Sequence, residues 1–263
     1  MKLFQIYPQA PRRIQKVLKD STLLEVHIGC SNSRVYKALK GAHGLYLKTQ
    51  PRNKHTSFAH EVLILNWLNQ KLSVPEVIEF ETDSLNEYLL LSAVPGTDCV
   101  EAMTSLDSKR LVSLLAKGLR TIHDIDISTC PFDETIAEKL KKARYRVMNN
   151  LVNEGEFDEE RQDMTPAQVL QALQDQPPIE DELVFSHGDY CLPNVLIHQN
   201  EISGFIDLDR AGISNMYNDL AIGSRSIRYN LGAKYEPLFF EYYGINPVDK
   251  EQIAYYRMVD ELF

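Results

Sequence analysis

The run His187-Gly188-Asp189-Tyr190-Cys191-Leu192-Pro193-Asn194, followed by Asp207 after the strand-like Gly204-Phe205-Ile206, places two carboxylates and a carboxamide at a spacing suited to phosphoryl transfer. In that chemistry one Asp accepts the proton of the attacking hydroxyl, an Asn shortly after it holds Mg²⁺, and a later Asp bridges the metal to the β- and γ-phosphates. Asp189, Asn194 and Asp207 fit those roles in that order. The plainer reading of the octapeptide is a capped turn, since Asp, Pro and Asn are all turn formers. Asp207 in register favours the chemical reading.

A second group lies upstream. In Gly44-Leu45-Tyr46-Leu47-Lys48-Thr49 the alternation puts Leu45 and Leu47 on one strand face and Tyr46 and Lys48 on the other. A ring and an ammonium that share a surface could stack on a base and reach phosphates. The plainer reading of the strand is a half-buried edge with a solvated Lys. The helix expected over 58–72 decides between them, because its apolar stripe runs through Ile64, Leu65, Leu68 and Leu72 and Glu61 falls on that stripe. A carboxylate on a buried face needs a partner, and the preceding Lys48 supplies one.

These residues need elements to hold them. Val195-Leu196-Ile197-His198 and Gly204-Phe205-Ile206-Asp207 read as two strands of a hairpin that returns Asp207 toward the Asp189 loop. Strand signals dominate up to Tyr88-Leu89-Leu90-Leu91-Ser92-Ala93-Val94, Pro95-Gly96 breaks the pattern, and helical periodicity follows over 106–125 and 134–151. A hinge is expected near Ser92 to Gly96.

With those motifs in place, the chain resembles the aminoglycoside 3′-phosphotransferases, or kanamycin kinases, along nearly its whole length. The resemblance runs through Ile28-Gly29-Cys30-Ser31, Leu45-Tyr46-Leu47-Lys48, Asp126-Ile127-Ser128-Thr129-Cys130-Pro131-Phe132, Val184-Phe185-Ser186-His187-Gly188-Asp189-Tyr190 and Arg225-Ser226-Ile227-Arg228. Its most specific features are Ser203-Gly204-Phe205-Ile206-Asp207-Leu208 and the last four residues, Asp260-Glu261-Leu262-Phe263. It implies an α+β, protein-kinase-like two-lobed fold, with a small β-rich N-lobe over 1–94 and a larger, mostly helical C-lobe over 95–263. The implied reaction is ATP- and Mg²⁺-dependent phosphorylation of the 3′-hydroxyl of an aminoglycoside, which gives resistance. Asp189 is then the base, Lys48 paired with Glu61 holds the phosphates, and Asn194 and Asp207 hold the metal. Ser31 lies at a phosphate-contacting turn, Tyr46 stacks on adenine, and Ser92 and Val94 meet its edge. Arg210 and Arg225 order the phosphate and substrate site, while Asp260, Glu261 and the carboxylate of Phe263 face substrate amines. Two positions depart from the family: Asp209 stands where Gly is usual, a site where Asp tolerates positive φ better than most residues, and Tyr229-Asn230 stands where some members carry a carboxylate.

Composition is compatible with this reading. The formal net charge of −9 disfavours nucleic acid and anionic membranes and suits a cationic second substrate. Asp158, Glu159, Glu160 and Asp163 form either a solvated acidic loop or part of an amine-binding rim. Four scattered cysteines without a Cys-x-x-Cys pair indicate free thiols. Pro8, Pro11, Arg12 and Arg13 occupy the place of an apolar signal core, so a cytoplasmic enzyme, a monomer or weak dimer, is expected. A kinase for another small cationic alcohol, of choline or amino-sugar type, and a nucleotide-binding protein without turnover are the alternatives.

Overall fold

The computed structural model describes residues 10–26, 33–40, 43–176, 178 and 183–263. The chain forms two compact units, Met1–Pro95 with Gly204–Asp209, and Gly96–Ser203 with Arg210–Phe263. The first is mainly sheet and the second mainly helix, the α+β division that the sequence implies. No helix among the described residues is long and apolar enough to cross a membrane.

In the first unit, α1 (Arg12–Val17), β1 (Thr22–Val26), β2 (Arg34–Lys40), β3 (His43–Pro51), α2 (Ala59–Leu68), β4 (Val77–Thr82) and β5 (Asn86–Ser92) follow in order. The strands make one antiparallel sheet, β1-β2-β3-β5-β4. Period-2 alternation divides β3 as expected, for Leu47 pairs with Leu90 and is fully buried with Ile14, Tyr36 and Tyr88, while Tyr46 and Lys48 pair with Leu91 and Leu89 on the opposite face. β5 is buried on both faces through Leu89, Leu90 and Leu91, and β3 pairs with it along its length from Leu45 to Pro51.

α2 is shorter than the expected 58–72. It ends at Leu68 because Asn69 leaves the helical region and Gln70 takes φ 67°. Its start is secured from the sheet, where the Glu87 carboxylate of β5 accepts from the Phe58 N–H at 2.9 Å and from the Ser57 hydroxyl at 2.8 Å. An anion over the first amides of a helix satisfies donors that have no intrahelical partner. Burial would push the Glu87 carboxyl up, but hydrogen bonds from Gln50, Phe58 and Ser57 outweigh it and hold it below its ordinary value.

Residues Gly204–Asp209 belong with the first unit, although the sequence reading assigned all of 95–263 to the second. The cause is local packing. The Phe205 N–H donates to the Ser73 carbonyl at 3.0 Å, a Cβ on Gly204 would stand 2.5 Å from that same oxygen, and Phe205 and Leu208 are buried.

The second unit contains β6 (Thr97–Asp98), α3 (Cys99–Ala102), α4 (Ser108–His123), α5 (Ile136–Met148), α6 (Pro166–Asp175), β7 (Leu183–Ser186), β8 (Val195–His198), β9 (Glu201–Phe205), β10 (Gly212–Asn215), α7 (Tyr217–Leu231), α8 (Glu236–Tyr243) and α9 (Lys250–Asp260). The last two residues of β9 already count with the first unit. α4 starts where the Asp107 carboxylate accepts from the Lys109 and Arg110 amides, and it buries Leu111, Leu114, Leu115, Leu119 and Ile122 at helical spacing. α4 packs on α8, and α7 packs on α9. β7 and β10 form an antiparallel pair whose Ser186–Gly212 rung sets Arg210 beside Gly188.

Candidate active site

Within the first unit, Lys48 Nζ donates to Glu61 Oε1 at 2.7 Å and also to Asp207 Oδ1. The Lys48 side chain is 14% exposed and that of Glu61 3%, whereas Asp207 is 48% exposed, so the triad buries one carboxylate and presents the other. Burial would push the Lys48 ammonium down, but the carboxylates of Glu61 and Asp207 outweigh it and hold its pKa above the ordinary lysine range. Burial pushes Glu61 up, against the pull of Lys48. Asp207 lies two residues beyond the end of β9 with φ 57°, so a left-handed backbone, and not the strand itself, aims this carboxylate. Asp209 is exposed and is not among the positive-φ residues; its carbonyl lies 2.9 Å from His60 Nδ1. The positive φ anticipated for Asp209 falls on Asp207 instead.

Other predicted nucleotide residues of this unit take these places. Tyr46 shares the Lys48 face of β3 and has the Lys37 ammonium 5.8 Å from its ring centroid. Ser92 ends β5, where its N–H donates to the Glu76 carbonyl at 2.9 Å and its Oγ accepts from the Glu76 N–H at 2.8 Å. Val94 follows it and packs against Gly204. Ser31 lies outside the described residues.

Within the second unit, Asp189 follows Gly188, whose φ of +85° is open to glycine and costly for other residues. A Cβ there would stand 2.0 Å from the Arg210 carbonyl oxygen. The loop is closed by Asn194, which donates through Nδ2 to the backbone oxygen and to Oδ2 of Asp189, each at 2.9 Å. That leaves the Asn194 amide oxygen as its free acceptor. Burial pushes the Asp189 carboxyl up; Arg210 opposes this, Asp260 reinforces it, and the result is a raised value. A carboxyl shifted toward neutral pH is better matched to removing a proton from an alcohol than an ordinary aspartate.

The acidic and basic residues predicted for the substrate site form one alternating ladder in this unit. Arg210 donates to Asp260 at 2.6 Å, Arg225 donates to Asp260 and lies 3.5 Å from Asp158, Arg161 meets Asp158 at 3.0 Å, and Arg161 also donates to Glu261. Both Asp260 oxygens are therefore engaged by guanidinium groups, which outweigh burial and hold its carboxyl below the ordinary value. Glu261 is buried with Oε2 lacking a hydrogen-bond partner, and burial raises its pKa. Glu160 is 83% exposed and Asp158 34%, so the acidic segment divides into a bridging Asp and solvated neighbours. Leu262 is fully buried, and Arg146 donates to the Leu262 carbonyl at 2.6 Å and to the Phe263 backbone oxygen at 2.8 Å. The Phe263 ring lies 5.3 Å from the Arg210 guanidinium.

Asp219 escaped the sequence reading. It lies in the first turn of α7, fully buried, and accepts from the His187 N–H at 2.7 Å, the Gly188 N–H at 2.9 Å and His123 Nε2 at 3.0 Å. Burial would raise its carboxyl, but hydrogen bonding and charge from His123 lead the opposing effects and hold it low. A signal was present, since Asp219 precedes the apolar Leu220-Ala221-Ile222 as Glu61 interrupts the stripe of α2. Arg161 and Arg146 left no comparable sign.

A family described as "Phosphotransferase enzyme family" matches residues 22–256. Among relatives, the chain is 35% identical over 256 residues to an aminoglycoside 3′-phosphotransferase of Niallia circulans, covering 96% of this chain and 97% of that one. It is similar to a crystal structure of an aminoglycoside-3′-phosphotransferase of type VIII, with a TM-score of 0.86 and 27% identity over 99% of this chain and 100% of the other. At 24% identity and a TM-score of 0.75, covering 91% of this chain and 92% of the other, the fold also matches an aminoglycoside phosphotransferase of Streptomyces rimosus solved with ADP and streptomycin.

Proposed function

We propose that this chain, which belongs to the APH phosphotransferase enzyme family, moves the γ-phosphoryl group of ATP to the 3′-hydroxyl of an aminoglycoside antibiotic and so confers resistance. The observation that carries phosphoryl transfer is Lys48 bridged between buried Glu61 and exposed Asp207, an ammonium aimed and kept charged by carboxylates. The aminoglycoside class is supported by the extent of the relationship, which spans nearly the full length of both chains.

The chemistry follows from each side chain. The acceptor hydroxyl oxygen forms a bond to the γ-phosphorus, the bond to the β–γ bridging oxygen breaks, ADP carries away the electron pair, and the hydroxyl proton passes to Asp189. Lys48 stabilises charge on the nucleotide phosphates. The oxygen donors Asn194 Oδ1 and the exposed Asp207 carboxylate suit Mg²⁺, which binds through few protein oxygens plus substrate phosphates. When bound, Mg²⁺ neutralises charge on the transferring phosphoryl group. Tyr46, Ser92, Val94 and Ser31 are assigned to the nucleotide. Of the acids assigned to substrate amines, Glu160 is the exposed acceptor, whereas Glu261 is buried against Arg161 and supports that rim from below the surface, with Phe263 held by Arg146. Arg210 and Arg225, assigned to ordering the phosphate and substrate site, are neutralised by Asp260.

Incubation with ATP, Mg²⁺ and a panel of kanamycin, neomycin, choline and amino sugars, with mass spectrometry locating the phosphate, tests this reading. A 3′-phosphorylated aminoglycoside is expected. Phosphorylation of choline or an amino sugar alone, or nucleotide binding with no product, would overturn it.

A further inference from the structure

Arg161 ends the short 3₁₀ turn Glu159–Arg161 of the acidic segment, and each of its three guanidinium nitrogens meets a different carboxylate. Nε donates to Glu261 Oε1, Nη2 donates to Asp158 Oδ2 at 3.0 Å, and Nη1 stands 3.4 Å from Glu160 Oε2. The three contacts differ in weight. Glu261 closes α9 with its side chain 1% exposed and that of Arg161 is 11% exposed, so this pair is out of water, and removing either partner would leave a buried charge uncompensated. The contact with Glu160 is long and faces solvent, where an ion pair contributes little. Arg161 is therefore anchored inward, on Glu261.

Among the described residues, two ion pairs join the segment 153–163 to the rest of its unit: Arg161 with Glu261, and Asp158 with Arg225 at 3.5 Å. Arg161 also holds the Asp158 carboxylate that makes the second pair, so both ties pass through it. The backbone of the turn is closed at the same residue. Its N–H donates to the Asp158 carbonyl at 2.8 Å, and its carbonyl accepts from the Met164 N–H at 2.9 Å. A 3₁₀ turn has about 3 residues per turn, so neighbouring side chains leave it about a third of a turn apart. With Arg161 drawn inward, Glu160 beside it is turned out to solvent. We infer that Arg161 is a positioning residue for aminoglycoside capture: by docking the turn on Glu261 it fixes the direction in which Glu160 meets a substrate amine. Arg161 need not touch the substrate to do this.

The inference rests on the proposed function, and its docking half can be read without any substrate. The parent, Arg161→Met, Arg161→Lys, Glu160→Gln and the double variant Glu160→Gln/Arg161→Met, all in the full chain, are compared by kcat and KM for kanamycin and ATP, by thermal melting and by hydrogen exchange over 153–163. Arg161→Met is expected to speed exchange across 158–161 by about tenfold or more. It should raise KM for kanamycin about 5- to 30-fold, with kcat and KM for ATP within about threefold of the parent. Because Arg161 acts through Glu160, removing it from Glu160→Gln should change KM for kanamycin by no more than about twofold. Arg161→Lys keeps a cation for Glu261, but an ammonium cannot fork to three acids, so it should recover thermal stability with KM for kanamycin between those of the parent and Arg161→Met. Should Arg161→Met not fold, the same cycle is run with Arg161→Lys. Unchanged exchange over 158–161, an unchanged KM for kanamycin beside lost thermal stability, or effects of the two substitutions that multiply would each overturn the inference. A parent that phosphorylates no aminoglycoside removes the capture role and the proposed function together, while the exchange comparison still decides whether Arg161 docks the turn.

Discussion

Gly188→Ala is the most direct test of how the loop holds Asp189. The added methyl carbon would start 2.0 Å from the Arg210 oxygen, where ordinary contact begins at 3.4 Å, so something must retreat by about 1.4 Å. Either Arg210 moves, opening the end of the β7–β10 pair, or the 187–189 backbone moves and surrenders its bonds to Asp219. Both outcomes displace a group of the site. An L-residue at φ +85° adds about 1–2 kcal/mol of backbone strain and the forced contact about 1–3 kcal/mol, so a loss of about 2–5 kcal/mol is expected. A native state of ordinary stability, about 5–15 kcal/mol, survives that loss, which makes the kinetics measurable. A misplacement near 1 Å costs about 10²-fold, so kcat for kanamycin should fall by at least about that factor while ATP affinity changes little. Denaturant unfolding, ADP-release kinetics and calorimetric ATP titration give the three quantities. A variant with kcat within about threefold of the parent would show that the Gly188 turn does not aim Asp189.

Three further outcomes follow. Asp189→Ala should lower kcat by about two to four orders of magnitude with ATP affinity preserved, and single-turnover kinetics near the parent rate would remove Asp189 from the mechanism. Lys48→Ala leaves buried Glu61 without its cation, which should destabilise the first unit by about 3 kcal/mol and raise KM for ATP; an unchanged KM would dissociate the triad from the nucleotide. Asp260→Asn removes a charge that raises the pKa of Asp189 and leaves Arg210, which lowers it, unopposed. The acid limb of the kcat profile, which needs Asp189 deprotonated, should therefore move to lower pH, and a shift to higher pH would contradict the ladder's influence on the base.

The sequence made the chemistry legible wherever a polar residue broke an apolar rhythm. Glu61 on the stripe of α2, Lys48 opposite Leu45 and Leu47, and Asp189 five residues before Asn194 could each be placed from spacing alone, and the structure brings Lys48 to Glu61 and Asn194 to Asp189. Asp207 was found as a residue but not as a geometry, because a positive φ two residues past a strand has no periodic signature. The attachment of Gly204–Asp209 to the first unit depends on a bond to Ser73, more than a hundred positions away, which no local pattern encodes. The substrate-side acids were legible as charge but not as partners. Whether Asp260 faces an amine or a guanidinium is decided by Arg210 and Arg225, which arrive from elsewhere in the chain.

The bond from Glu87 to the start of α2 bears on regulation. In protein kinases the lysine–glutamate pair is made and broken by swinging the helix that carries the glutamate, and this hinge is where control enters. Here that helix is riveted at its N-cap amide, Phe58, to β5 of the sheet, one turn before Glu61. Helix and sheet must then travel together, and the lysine–glutamate pair that joins them travels as one piece. Such a coupling denies the pair the independent helix swing that would break it; to place it under a switch, Glu87 is the fastener that would first have to be undone.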